Sequence, residues 1–149
     1  MRTVELDERR LLRAAIDCII PPDQDPGATD LGTDDYIVAE LGADRADEAA
    51  AILSGLAALD ADAMVRHGRS FDALTRAEQT ALVGEIERQV WFVRLCELTA
   101  EGYYADPANG GNRDALSWTM IGYQHRLPDG PSGMVRPAAA EDADGGARR

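Results

Sequence analysis

Apolar residues in this 149-residue chain recur at every third or fourth position, and no segment alternates apolar with polar residues at every second one. That period excludes half-buried strands and confines the chain to packed helices. Breakers then divide the pattern. Asp7-Glu8 marks a helix start, and Leu12, Ala15, Ile16 and Ile19 follow at helical spacing. Pro21-Pro22 ends this helix, because the first proline drives Ile20 out of the α region and neither ring carries an N–H. Residues 21–32, PPDQDPGATDLG, read as an irregular loop. Thr33 is placed to cap a short helix carrying Tyr36, Ile37 and Leu41 that stops near Gly42. Residues 44–64 put Ile52, Leu56, Leu59 and Ala63 on one stripe, with Ala49, Leu53 and Met64 beside it. His67-Gly68 ends that helix, the glycine suiting the left-handed position past a helix end.

Thr75-Arg-Ala-Glu78 has the spacing of a capping box, and the helix it opens is expected to run to about Tyr103. Leu82, Ile86, Val90 and Val93 would form one face of it, and Trp91, Leu95 and Leu98 a second. Glu87, Arg94, Glu97 and Glu101 leave only a narrow polar seam. A helix apolar over most of its circumference is either central in a bundle or covered by a partner. The expected fold is therefore all-α, a bundle-like domain of four to five helices with a long ordered Gly- and aromatic-rich loop after the fourth helix. Residues 1–126 form the helical domain in this reading. Residues 127–149 form a Pro-, Gly-, Ala- and Asp-rich tail expected to be disordered.

Charge narrows the partners. The formal net charge is −12, and every cation is arginine. Twelve carboxylates between Asp17 and Asp62 face a single cation, Arg45. An acidic block of this kind argues against nucleic acid and anionic membrane as partners. No apolar run reaches the 18 residues of a membrane span. The start, MRTVELDERRLLRAAIDC, has no uninterrupted apolar region of a secretory signal, and its Arg-Arg pair sits in an acidic helix rather than before a leader. A cytoplasmic location is the expectation, with a periplasmic or other extracytoplasmic one if a partner carries the signal or a leader has been removed. Cys18 and Cys96 lie among apolar residues and are expected to be buried thiols, with a single disulfide as the alternative.

Few motifs carry chemistry. Gly110-Gly111 lacks the Lys-Ser/Thr of a phosphate loop, in a chain without lysine, and no strand precedes it. Asp23, Asp25 and Asp30 fail calcium-loop spacing. His67 and His125 are in no ligand spacing, and Cys96 sits mid-helix where a thiolate is disfavoured. No catalytic residue, metal site or cofactor site is therefore assigned to this chain. What stands out is aromatic density: Trp91, Phe92, Tyr103, Tyr104, Trp118 and Tyr123 fall between positions 91 and 123. Aromatics and arginine dominate protein–protein hot spots, although filling the core is the plainer role for Trp91 and Trp118. Tyr103 and Tyr104 point about 100° apart on a helix and cannot easily both be core. Asp106-Pro107 and Asn109-Gly110 are turn dipeptides, and Arg113 is free to bind a carboxylate or carbonyls. The interface or loop-bracing candidates are Trp91, Tyr103, Tyr104, Asp106, Pro107, Gly110, Gly111, Asn112, Arg113, Trp118 and Tyr123.

Two segments together resemble a known family. One is the first helix ending in Ile19-Ile20-Pro21, followed by an acidic loop with Pro26-Gly27-Ala28 and a short second helix. The other is Gly102-Tyr103-Tyr104, Asp106-Pro107, Gly110-Gly111-Asn112-Arg113, Trp118 and Gly122-Tyr123. Over about residues 8–125 the chain resembles subunit 3 of gluconate 2-dehydrogenase, the small subunit of flavoprotein dehydrogenase complexes. The resemblance implies a non-catalytic subunit. In such complexes a large subunit of the glucose-methanol-choline oxidoreductase type holds FAD and oxidises a sugar or alcohol, and the small subunit supports its folding, stability or export. Some complexes add a cytochrome. Many family members carry a twin-arginine leader, which this sequence does not show.

Two other readings stay open on the residues alone. One is a stand-alone small helical enzyme or ligand-binding domain with a pocket near Tyr103, Arg113 and Trp118. The other is a homo-oligomeric structural domain that hides the same apolar surface against itself.

Overall fold

The computed structural model describes residues 3–43 and 45–122. Six α-helices follow one another: α1 (Leu6–Ile19), α2 (Thr33–Gly42), α3 (Ala46–His67), α4 (Arg76–Ile86), α5 (Val90–Tyr103) and α6 (Leu116–Met120). Among the described residues there is no strand, so the domain is all-α. Short 3-10 turns occupy Thr29–Leu31, Phe71–Ala73, Pro107–Asn109 and Arg113–Ala115. The expected tail, residues 127–149, lies outside the described residues, as does Tyr123.

The core forms where α1, α3 and α5 meet, with α2 packed on α5 and α4 on α1. Leu12 and Ile16 of α1 are fully buried beside Ile37 and Leu41 of α2, Ile52 and Leu56 of α3, and Leu95 and Leu98 of α5. Several helix ends follow from the sequence chemistry. Thr75 and Glu78 make both halves of the capping box, Glu78 N–H donating to Thr75 Oγ1 at 3.2 Å and Thr75 N–H to Glu78 Oε2 at 2.9 Å. Gly68 closes α3 in the left-handed region, at φ 67°.

Other ends differ from expectation. α1 begins at Leu6, where Glu5 and Glu8 form a capping box of their own. Thr33 is not a cap but the first residue of α2, the capping position being the left-handed Gly32. The chief correction concerns the long fourth helix, which is two helices. The chain leaves helical geometry over residues 87–89, and α5 restarts from Gln89 in an extended conformation, φ −68° and ψ 140°. The break changes the phase of the apolar pattern. Phe92, Leu95 and Leu98 turn inward, whereas Val90 is 86% exposed. The predicted face of Leu82, Ile86, Val90 and Val93 is thus split, only Leu82 being fully in the core. The Gly- and aromatic-rich stretch accordingly follows the fifth helix, and it is made of two 3-10 turns and α6 rather than one loop.

An ion-pair cluster ties the first two helices. Asp34, buried at the start of α2, accepts from Arg9 Nη2 at 2.8 Å and Arg13 Nη1 at 2.7 Å, and Arg9 also reaches Asp35. Cys18 and Cys96 are half-buried free thiols, not joined in a disulfide.

Candidate functional site

Residues 102–120 fold back on the end of α5 and hold it to the acidic loop. Tyr103, 1% exposed, donates its hydroxyl to the Pro26 carbonyl at 2.7 Å. Burial pushes this phenol above its ordinary range, so it stays a donor. Tyr104 turns outward and is 46% exposed, but its carbonyl accepts from Trp118 Nε1 at 2.9 Å. Asp106 caps the turn after it, its carboxylate accepting from Ala108 N–H at 3.0 Å, and Pro107 opens that turn. Gly110 follows at φ 95°, a left-handed position natural to glycine. Gly111 is needed for a different reason: a Cβ there would lie 2.3 Å from the Gly102 carbonyl oxygen.

Asn112 is the centre of the brace. It is fully buried and left-handed, at φ 49°. Its Nδ2 donates to the Ala105 carbonyl at 2.8 Å, while its Oδ1 accepts from Ser117 N–H at 3.0 Å and Ser117 Oγ at 2.7 Å. Both ends of the amide are used, so one side chain fixes the chain seven residues before it and five after it. Asp114 and Ala115 are also left-handed, at φ 57° and 54°. Such strain persists only where surrounding contacts over-determine it. Arg113 extends along the surface, Nη1 donating to the Asp30 carbonyl at 3.4 Å. Of the two expected kinds of acceptor it is a backbone carbonyl, in the same chain, and the bond is long and exposed.

Trp91 stands apart from this brace. Its indole lies on Gly55 in the middle of α3, where a Cβ would come within 2.1 Å of the ring, and its Nε1 donates to Gln89 Oε1 at 2.7 Å. The ring is a ridge between two hollows in the groove between α3 and α5. The larger, about 670 Å³, is lined by Ala51, Ile52, Val90 and Val93 with Glu48 and Arg94 at its edge. The smaller, about 220 Å³, continues past Gly55, Ala58 and Leu59 to Asp62.

The structure thus brings together Tyr103, Tyr104, Asp106, Pro107, Gly110, Gly111, Asn112, Arg113 and Trp118, and places Trp91 on another face. A hollow of about 240 Å³ touches Tyr103 and Tyr104 beside Pro21, Asp23, Asp25 and Met120. Arg113 and Trp118, the other two residues of the expected pocket, do not line this hollow. Asp23 and Asp30 are engaged as turn acceptors, from Asp25 N–H at 3.0 Å and Gly27 N–H at 2.9 Å. Among the described residues no group of three or more His, Cys, Asp or Glu side chains is arranged to hold a metal ion, and no helix is long and apolar enough to cross a membrane. Sequence reading missed Gly55, and it named Gly102 only within the family-like segment without a packing role. Both interrupt helical patterns, and an isolated glycine there signals a close approach. At Gly102 a Cβ would stand 2.7 Å from the Tyr36 ring.

The family model for gluconate 2-dehydrogenase subunit 3 matches residues 6–124. No curated protein and no solved structure matches the chain.

Proposed function

The chain belongs to the gluconate 2-dehydrogenase subunit 3 family, and from that membership we propose that it is a non-catalytic subunit which binds and stabilises the large FAD-containing subunit of a sugar or alcohol dehydrogenase. FAD and the oxidation belong to the partner in this reading, and a cytochrome subunit completes some such assemblies. The observation that carries it is the groove between α3 and α5. There Val90 and Val93 stand in solvent beside a half-buried tryptophan, a concave apolar surface of the kind that interfaces cover. The brace supports the same reading, because Tyr103, Asn112 and Asp106 direct their polar atoms at the chain's own backbone rather than into a cleft.

Co-expression with a tagged flavoprotein subunit tests it. The two chains are expected to co-purify. The isolated small chain is expected to bind a hydrophobic dye, to lose that signal in the complex, and to carry no flavin absorbance. A monodisperse isolated chain that ignores the dye and does not associate with the flavoprotein overturns the reading.

A further inference from the structure

We propose that the groove beside Trp91 seats one amphipathic α-helix of the flavoprotein subunit, laid along α3; this inference rests on the reading of the chain as that subunit's companion. Its length comes from α3. Glu48, Ala51, Gly55, Ala58 and Asp62 line the groove at one residue per turn. From Glu48 to Asp62 this edge runs about 21 Å, four turns of a helix. Ala51 and Ala58, exposed on either side of the indole that covers Gly55, keep that wall low, so the backbone of an occupant can approach closely. The indole divides the floor into the two hollows, which are sockets for apolar side chains on successive turns of the occupant.

Charge selects the occupant and its polarity. At one end Glu40, Glu48, Glu97 and Glu101 share only Arg45 and Arg94, leaving an excess of negative charge. Arg88, at the edge of the larger hollow, has no ion pair or hydrogen bond from its side chain among the described residues. The helix that complements this groove presents apolar residues at three- and four-residue spacing, a basic residue towards Glu48 and Glu97, and a carboxylate towards Arg88. A second copy of this chain fits poorly. It carries the same net −12 and would bring like charges together.

The test uses the co-expressed complex. Ala51 and Ala58 are exposed helix positions, so Ala51→Arg and Ala58→Arg fill the groove without touching the core. Ala57→Arg, exposed and about 100° or more round the same helix from both positions, is the control. Each groove variant should weaken binding of the flavoprotein subunit about 10-fold or more, as at buried interface positions, while Ala57→Arg stays near wild type. Arg88→Glu should weaken binding most at low salt, as loss of a rim charge does. A photo-crosslinking residue at position 51 and another at position 58 should capture flavoprotein residues about seven apart in one segment for a helix, against about three apart for an extended strand. Groove variants that bind like wild type, captures about three residues apart, or capture of a second copy overturn the inference and leave the proposed function standing. If the unmodified chain does not associate with the flavoprotein at all, the proposed function falls, and this inference with it.

Discussion

The indole of Trp91 rests on Gly55 so closely that a Cβ on Gly55 would stand 2.1 Å from ring carbon Cδ2. Glycine in a helix interior costs about 1 kcal/mol relative to alanine, so α3 gives up local stability to hold a tryptophan ridge in a fixed place. Gly55→Ala should therefore destabilise the domain despite its better helix propensity, by about 1–3 kcal/mol as for overpacking. The accompanying change is a red shift of tryptophan fluorescence as the indole lifts from α3. A variant more stable than wild type, with unchanged emission, would show that the indole has room to move.

Asn112→Ala removes the acceptor of Ser117 N–H and the donor to Ala105, and leaves a β-carbon residue in the left-handed region. The expected loss is about 2–4 kcal/mol, mostly from buried groups left without partners. Asn112→Gly loses the same bonds but relieves the backbone, and should recover about 1 kcal/mol of that loss. Urea melts of the two variants separate the hydrogen bonds from the strain. Equal losses would mean that the left-handed conformation is not costly here.

Asp34 gives the domain an acid limit. Burial works against its ionisation, but hydrogen bonds from Arg9 and Arg13 outweigh that and hold the carboxyl below its ordinary range. A carboxyl depressed by folding adds stability above its unfolded pKa and loses it as pH falls through the folded value. This contribution is present at neutral pH and should begin to be lost as pH falls below about 4. Asp34→Asn should cost about 1–3 kcal/mol at pH 7, less than a fully buried pair because both arginines remain partly in water. Its deficit should shrink progressively as pH falls below about 4, which thermal melts across pH would display. A deficit that does not change between pH 7 and the acid limit of folding would assign the effect to packing.

Arg113→Ala should leave the isolated domain within about 1 kcal/mol of wild type, because its bond to the Asp30 carbonyl is long and exposed. A larger loss in the melting free energy would show that Arg113 holds the acidic loop more firmly than this geometry implies.

The first three helices were legible because local chemistry ends them: the proline pair after Ile20 and the glycines at 42 and 68. Their first turns were read less well, since neither Asp7 nor Thr33 is the capping residue. The break after Ile86 was not. Glu87-Arg88-Gln89 contains neither glycine nor proline, and Leu82, Ile86, Val90 and Val93 continue the helical period across it. What decides it is tertiary. On the α4 side of the break Leu82 packs into the core against α1, while on the other side α5 packs on α2 and α3, with Trp91 on Gly55 and Phe92, Leu95 and Leu98 turned inward. At the brace, the turn residues were visible as turn chemistry. The burial of Asn112, and the backbone acceptor of Arg113, depend on contacts with residues remote in sequence and leave no local pattern. Of the tyrosine pair, only the assignment of Tyr103 inward and Tyr104 outward had to wait for the structure.

The Tyr103 hydroxyl meets Pro26 across 77 residues of sequence, so the end of the described chain closes over its beginning. Contacts of such separation form late in folding, after local helices have paired. During synthesis the order is stricter still, because α1 to α5 have all left the ribosome before Asn112 and Ser117 can lock the closure. The residues that line the groove of α3 and α5 all lie at or before Glu97 in the sequence, ahead of the brace. If that groove is the partner's seat, as proposed, a flavoprotein subunit that meets the nascent chain finds the seat lined while the domain is still open at the other end.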